Sequence, residues 1–562
     1  MKEQLLAVIT WLLGPEKLRP PDRPIELDSR SWLEAQPPKP PDETKSTHLW
    51  PRWIFLRCLG LIYFSAFYSF AFQIKGLIGP DGILPARDYL HAIATSPNVR
   101  AERFWFAPTL LWFGSSDRAL MLVCSIGLIA SMLVVINSWP RGMLFVCFLC
   151  FLSFIAAAQD FSSYQSDGML LEAGFISLFC APPGFWPRLA PGNGPSRFSM
   201  FLLQWEWFRI YFESGVVKLA SGDQSWRHLT AMDDYYQNGP LPSWIGYHVQ
   251  HFPHWFHAST VILTFAVELV LVWMLFLPRR LRIACFCLVT PFEIGIILTA
   301  NYTFLNYLVL CLGFLLLDDR VVKWILPQRI RRLVQGKDFS RASTAPPAGW
   351  RQRWREYSRP VGMGISGICL GMVFYVATVQ LVWMFVPELT LPQAPVEWLD
   401  PFRIANRYGL FAVMTHARYE IEFQGSTDGK TWIPYPFRYK PQDPKKAPGI
   451  YAPYQPRFEW NLWFASLGSW QQYKFVVWTE ARLLQNSRDV LKLFAANPFP
   501  MSPPKEVRAV IYQYWFTDLK TKREQGTWWR RQLLGEYAPA LEMQSNGRPA
   551  VLDIPTVNPP EP

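Results

Sequence analysis

Residues 259–300 read STVILTFAVELVLVWMLFL, then PRR, then LRIACFCLVTPFEIGIILTA. The two apolar runs, Ser259–Leu277 and Leu281–Ala300, each reach the roughly 20 residues that a helix needs to cross a bilayer. Between them, Pro278-Arg279-Arg280-Leu281-Arg282 places three arginines in five residues. A basic turn joining two such runs predicts a helical hairpin whose turn stays on the cytoplasmic side, because positive loops resist translocation. The stretch decides the fold class: a polytopic α-helical membrane protein.

Working outward, the same test finds further candidates at Trp53–Phe72, Ala119–Ile136, Met143–Ala158, Met169–Ala181, Phe198–Lys218, Tyr302–Leu317 and Gly362–Val386, about nine spans in all. Met169–Ala181 is short, and Phe198–Lys218 carries Glu206, Arg209 and Glu213. The opening run Leu5–Leu13 is too short to span, lacks a small-residue cleavage site and precedes Pro15. It reads as an interfacial or peripheral segment, not a cleaved signal. Leu18 to Pro51 is rich in proline and charge and reads as an extended linker.

Half of the 562 residues are apolar and 17% are charged, against about 25% charged in an ordinary soluble domain. The net charge of +12 is unevenly spread: Arg320–Pro360 holds eleven Lys/Arg and two Asp/Glu, a net +9 between two apolar runs. That is the charge of a cytoplasmic membrane anchor, and no nucleic-acid recognition motif accompanies it. All nine cysteines lie in apolar runs, Cys147 and Cys150 included, and read as buried small side chains.

Counting spans from the two basic loops puts 1–52 in the cytoplasm as an N-terminal segment and linker. Residues 53–319 form the transmembrane bundle with exoplasmic loops, 320–361 the basic cytoplasmic loop and 362–386 the last span. Residues 387–562 then form an exoplasmic domain. The first exoplasmic loop is itself mixed in charge, with Arg87, Arg100 and Arg103 beside Asp81, Asp88 and Glu102.

Past Pro387 the periodicity changes. Tyr419, Ile421 and Phe423 alternate with Glu420, Glu422 and Gln424, a period-two strand. Asp428-Gly429 is a hairpin turn, with Thr431–Ile433 as the returning strand. Val507–Phe516 reads as a strand and Thr479–Ala496 as a helix. The expectation is a β-rich or α+β soluble domain. Tryptophans crowd it; they serve core packing, membrane docking or partner contact, and Trp460, Trp463 and Phe464 are candidate client-contact residues. Residues 387–562 hold no GxSxG, HExxH, Walker or GxGxxG motif, and no cofactor is predicted.

Ionisable residues inside spans need partners or a task. Glu206, Arg209 and Glu213 fall at spacings of three and four, on one face of a helix. The bland reading is a buried ion network. The sharper one is a polar cavity joined by Glu268 and Glu293, with Asp160, Asp167 and Glu172 at its mouth and Lys218 as a partly desolvated base. His248, His251, His254 and His257 recur every three residues, but Pro253 interrupts them and no Cys or carboxylate completes a ligand set, so no metal is predicted.

Several strings in order resemble the lipase maturation factor family. They are 73–86 (QIKGLIGPDGILPA), 164–175 (YQSDGMLLEAGF), 208–226 (FRIYFESGVVKLASGDQSW), 406–411 (NRYGLF), 425–429 (GSTDG), 456–460 (PRFEW) and 497–500 (NPFP). The resemblance spans about Trp53 to Tyr537. It implies an endoplasmic-reticulum membrane protein that brings secreted dimeric lipases to an active, assembled state, with its exoplasmic domain contacting the client. Membrane lipid and a secreted, lipase-like client are the implied partners, and nucleic acid is not. The one Asn-x-Ser/Thr sequon, at Asn301, lies between spans. That and the Arg/Pro-rich style favour a bacterial member, in the inner membrane with a periplasmic C-terminal domain. Tyr211–Trp226, with Gly215 and Lys218, also resembles the core of vitamin K-dependent carboxylase-like proteins. That likeness implies an alternative, a membrane enzyme acting on a lipid or peptide with Lys218 as base and Glu213, Arg209 and Asp167 around it.

Overall fold

The computed structural model describes residues 48–162, 164–187, 189, 194–329, 331 and 350–555. The Leu5–Leu13 run, nearly all of the proline-rich linker and the centre of the basic loop lie outside the described residues.

Each of the nine apolar segments is helical: α1 (Leu49–Ile78), α2 (Asp117–Val135), α3 (Pro140–Ile155), α4 (Gln165–Cys180), α5 (Arg197–Ala220), α6 (His254–Phe276), α7 (Arg279–Thr299), α8 (Leu305–Leu316) and α9 (Trp350–Trp383). Five of them, α1, α2, α6, α7 and the Pro360–Trp383 part of α9, are long and apolar enough to cross a membrane. The other four fall short of the expected nine for two reasons. Helices α3, α4 and α8 are too short; the 16 residues of α4 extend roughly 24 Å against a hydrocarbon core of about 30 Å. Helix α5 is long enough but charged.

Helices α1 and α2 pack closely because glycine removes the side chain where they meet. A Cβ on Gly127 would stand 2.5 Å from the Phe67 ring. Gly127→Ala is therefore expected to cost about 1–3 kcal/mol by overpacking, read as a lowered melting temperature of the detergent-purified protein.

The C-terminal region carries a six-stranded antiparallel sheet: β1 (Arg418–Ser426), β2 (Ile433–Pro434), β3 (Glu506–Phe516), β4 (Trp529–Glu536), β5 (Ala540–Met543) and β6 (Pro549–Asp553). Strand β1 pairs with β3 along its whole length, from Arg418 opposite Tyr514 to Ser426 opposite Glu506. On its other side β3 pairs with β5 at Glu506–Val507 and with β4 from Val510 onward. The hairpin forms at Gly429, with φ +71°, where Asp428 Oδ1 accepts the Lys430 and Thr431 amides. The returning strand is only Ile433–Pro434, since Pro434 and Pro436 lack the amides that a longer ladder would use.

Two expectations change in the structure. Strand β1 is buried on both faces: its polar set is covered too, with Glu420 meeting Arg418 and Lys440, and Glu422 meeting Arg531. The helix expected over Thr479–Ala496 is two pieces, α11 (Phe475–Leu484) and a turn at Arg488–Leu491. Asn486 takes a left-handed conformation, φ +53°, which asparagine tolerates better than most residues. Before α11 lies α10 (Arg457–Ser466).

Bundle and sheet share their interior. Buried apolar side chains continue from the helices into the sheet, as where Phe161 meets Phe475 edge-on at 5.5 Å. A second aromatic cluster, including Tyr164, Trp226, Tyr235, Tyr302 and Trp460, fills the junction itself.

Candidate functional site

The charged face predicted on residues 198–218 is real. Ser196 caps α5 by accepting the Ser199 amide, and Glu206, Arg209 and Glu213 all lie at 0% exposure. What Arg209 and Glu213 hold is a piece of this chain, while the Glu206 carboxylate takes no part in holding it. After α9, residues 406–415 run as a strap without helix or sheet of their own. Buried backbone amides and carbonyls without a ladder must find other partners, and here the bundle supplies them.

Arg209 pairs with Glu172 of α4 and lies 3.7 Å from Glu213. It donates to the Asn406 carbonyl at 2.7 Å. Glu172 Oε2 accepts the Asn406 amide at 2.9 Å and the Tyr408 hydroxyl at 2.7 Å. Glu213 Oε2 accepts the Tyr408 amide at 2.6 Å. One turn on, Ser214 Oγ accepts the Leu410 amide and Lys218 donates to the Leu410 carbonyl at 3.0 Å. The Trp226 indole donates to the Phe411 carbonyl, and Asp223 accepts the Met414 amide at 2.7 Å. Asn238 closes the series on the Thr415 carbonyl.

Two further ties join the halves. Arg457, at the start of α10, makes a bidentate pair with Asp167 at 2.7 and 2.8 Å and also donates to the Phe161 carbonyl. Both partners are fully buried. Asn301 bonds the Leu241 and Gly449 carbonyls through Nδ2 and accepts the Tyr451 amide through Oδ1. The only sequon in the chain is thus spent on a buried structural contact.

Lys218, Glu213 and Arg209 therefore come together along the strap, while Asp167 serves Arg457. The arrangement does not present Lys218 as a base. Its ammonium faces both Glu268 oxygens at 2.8 and 2.9 Å, the Leu410 carbonyl, and the Ser214 carbonyl at 3.4 Å. An ammonium beside a carboxylate, with all its protons engaged, has no lone pair to offer. Trp460, Trp463 and Phe464 face inward. Trp460 is 7% exposed, between Tyr164 and Tyr302. Trp463 donates to the Asn238 carbonyl, and Phe464 stacks on Tyr164. The histidines part company: His251 bonds the Tyr247 and Thr517 carbonyls, and His254 pairs with Asp233.

Sequence reasoning missed Asn406, Tyr408 and Arg457 as partners, although each sits in a quoted string. The signal was there: charges inside spans require partners, and these strings hold polar groups next to aromatics. Tyr408→Phe deletes one hydrogen bond to the Glu172 carboxylate and is expected to cost about 1.5–3 kcal/mol, measured by thermal unfolding in detergent.

Comparison with known proteins finds two separate matches along the chain. A family profile described as the lipase maturation factor transmembrane domain matches residues 50–324. A second, the lipase maturation factor C-terminal domain, matches 404–539. The strap lies at the start of the second match and its bundle partners lie in the first. Lipase maturation factor 1 of Bos taurus is 29% identical, over 94% of both chains. Lipase maturation factor 2 of Gallus gallus is 30% identical, over 88% of this chain and 81% of its own. Lipase maturation factor 1 of Mus musculus is 30% identical, over 92% and 91%. These relatives are vertebrate proteins and lend no support to a bacterial inner-membrane setting. No solved structure matches the chain.

Proposed function

This chain belongs to the lipase maturation factor family, and on that premise we propose that it is a multi-pass membrane factor that brings secreted, lipase-like clients to an active assembled state. The observation that carries this reading is the use made of the charges on the strap-facing side of the bundle. Arg209, Glu172, Glu213 and Lys218 hold the C-terminal region against the membrane helices, which suits a rigid platform for a partner. The carboxylase-like alternative asks Lys218 to be a free base, against its contacts with Glu268 and Leu410.

The sheet belongs on the lumenal side of a secretory membrane, the endoplasmic reticulum in a eukaryotic host. Arg279 and Arg282 support that sidedness, since their guanidinium groups bond Asp318 and the Leu316 carbonyl, at the ends of α7 and α8 away from the sheet. All nine helices would then belong to the membrane region, with the short ones α3, α4 and α8 covered by neighbours.

Client contact through Trp460 would require the junction to open. The outer strands need no rearrangement: Leu533 on β4 and Val551 and Leu552 on β6 are about half exposed. Client binding is therefore assigned to that side of the sheet, and membrane lipid is a partner only in surrounding the spans. The test uses cells lacking their own maturation factor, a co-expressed secreted lipase, and lipase activity normalised to the membrane level of this protein. Leu533→Asp with Val551→Asp should lose most activity at normal abundance. Full activity from that variant would overturn the assignment to the outer strands, and no activity from the natural chain would overturn the maturation role.

A further inference from the structure

Helices α6 and α7 face each other at a place where neither is regular. Helix α6 passes from α-helix (His254–Phe265) into a π-helical turn (Ala266–Val270) and then a 3-10 segment. Helix α7 carries Pro291 in its interior, which removes one backbone bond and bends the helix. Gly215 on α5 lets the π-turn come close: a Cβ there would stand 2.7 Å from Leu269 and 2.9 Å from the Glu268 Cβ. This contact brings Glu268 to Lys218. Irregular backbone at membrane depth is tolerated where it is buried in protein or lines a cavity, and a cavity of about 380 Å³ lies here, within the roughly 300–1,000 Å³ of small-molecule sites.

Three features define what fits. The walls from the two spans are Leu263, Leu288, Phe292 and Ile296. Leu263 and Leu288, with Pro291 and Gly295, are exposed, and on membrane spans that exposure faces hydrocarbon. Most polar groups of the lining are already engaged. Lys218 and Glu268 neutralise each other. The Thr260, Thr264 and Thr299 hydroxyls donate to carbonyls of their own helices, and the Trp226 indole holds Phe411. The cavity offers neither unpaired charge nor free donors from these groups, so it selects an apolar, uncharged occupant.

We infer that this cavity takes one acyl chain of a membrane lipid, entering sideways between α6 and α7 from the leaflet on the side of the sheet. The chain would lie against the same ion pair that grips Leu410, so the site adjoins the strap without supplying its hydrogen bonds. The inference stands apart from the maturation role.

The test places the full chain in phosphatidylcholine nanodiscs in which some lipid carries a diazirine in one acyl chain. After illumination, labelled peptides are mapped by mass spectrometry. Label should concentrate on the wall residues of α6 and α7. Gly295→Trp should remove most of that label; a Cβ at Gly295 meets nothing within 4 Å, so the indole has room to enter the opening. Gly364→Trp, on an exposed turn of α9 with equal room, should leave it unchanged. Label spread evenly over all lipid-facing surfaces overturns the inference, as does undiminished label in a folded Gly295→Trp. Displacement by cholesterol but not by unlabelled phosphatidylcholine would assign the cavity to a sterol and overturn it too. The map on the unsubstituted chain is decisive even where Gly295→Trp fails to fold.

Discussion

Arg457→Ala should remove most of the protein from the membrane. The substitution leaves the Asp167 carboxylate at 0% exposure with its counter-ion gone and strips the Phe161 carbonyl of its donor. Breaking one side of a buried pair costs about 3–5 kcal/mol, because a lone buried charge remains. A domain's whole stability is about 5–15 kcal/mol, so the loss is large enough to change abundance. The pair itself need not stabilise much over an apolar replacement, since its attraction is offset by desolvation. Arg457→Met combined with Asp167→Leu should therefore recover most of the level and the melting temperature. Immunoblots of membrane fractions and thermal unfolding in detergent measure both. Wild-type abundance for the single variant would show that the junction is not held by this pair.

The second large effect concerns Lys218. Lys218→Ala leaves Glu268 in the same predicament and unties the Leu410 carbonyl, so a cost of about 3–5 kcal/mol is again expected. Loss of lipase maturation in this variant would follow from loss of protein, and by itself would say nothing about chemistry. The informative variant is Lys218→Met with Glu268→Gln, which removes both charges and keeps similar volumes. It should restore abundance, and maturation per molecule with it. Restored abundance without maturation would mean that the ammonium does more than hold the strap.

Both experiments act where the halves of the chain meet, and five of the seven strings that carried the family resemblance meet there too. Gln73 bonds Tyr454 and the Gln455 carbonyl. Residues 164–175 supply Asp167 and Glu172, 208–226 supply Arg209 to Trp226, and 406–411 and 456–460 supply the partners. A sequence reading could rank these strings as distinctive, but it had no means of pairing them.

Hydropathy placed helices at all nine positions, because helix formation in an apolar medium is local: each backbone amide finds its carbonyl four residues away. The β1 and β3 strands and the glycine turn at Gly429 were legible from local residue patterns, but that β1 pairs with β3 was not, because those partners lie far apart in the chain. The charges on α5 were legible as costly, because burial of an unpaired charge is prohibitive wherever it occurs. Their partners were not. Asn406 and Tyr408 lie some 200 residues beyond Arg209 and Glu213, and Arg457 lies 290 beyond Asp167. A carboxylate accepts any donor that folding brings within reach. The sequence by itself determined that these groups must be answered, and the tertiary structure alone decided that a strap and a helix of the same chain answer them.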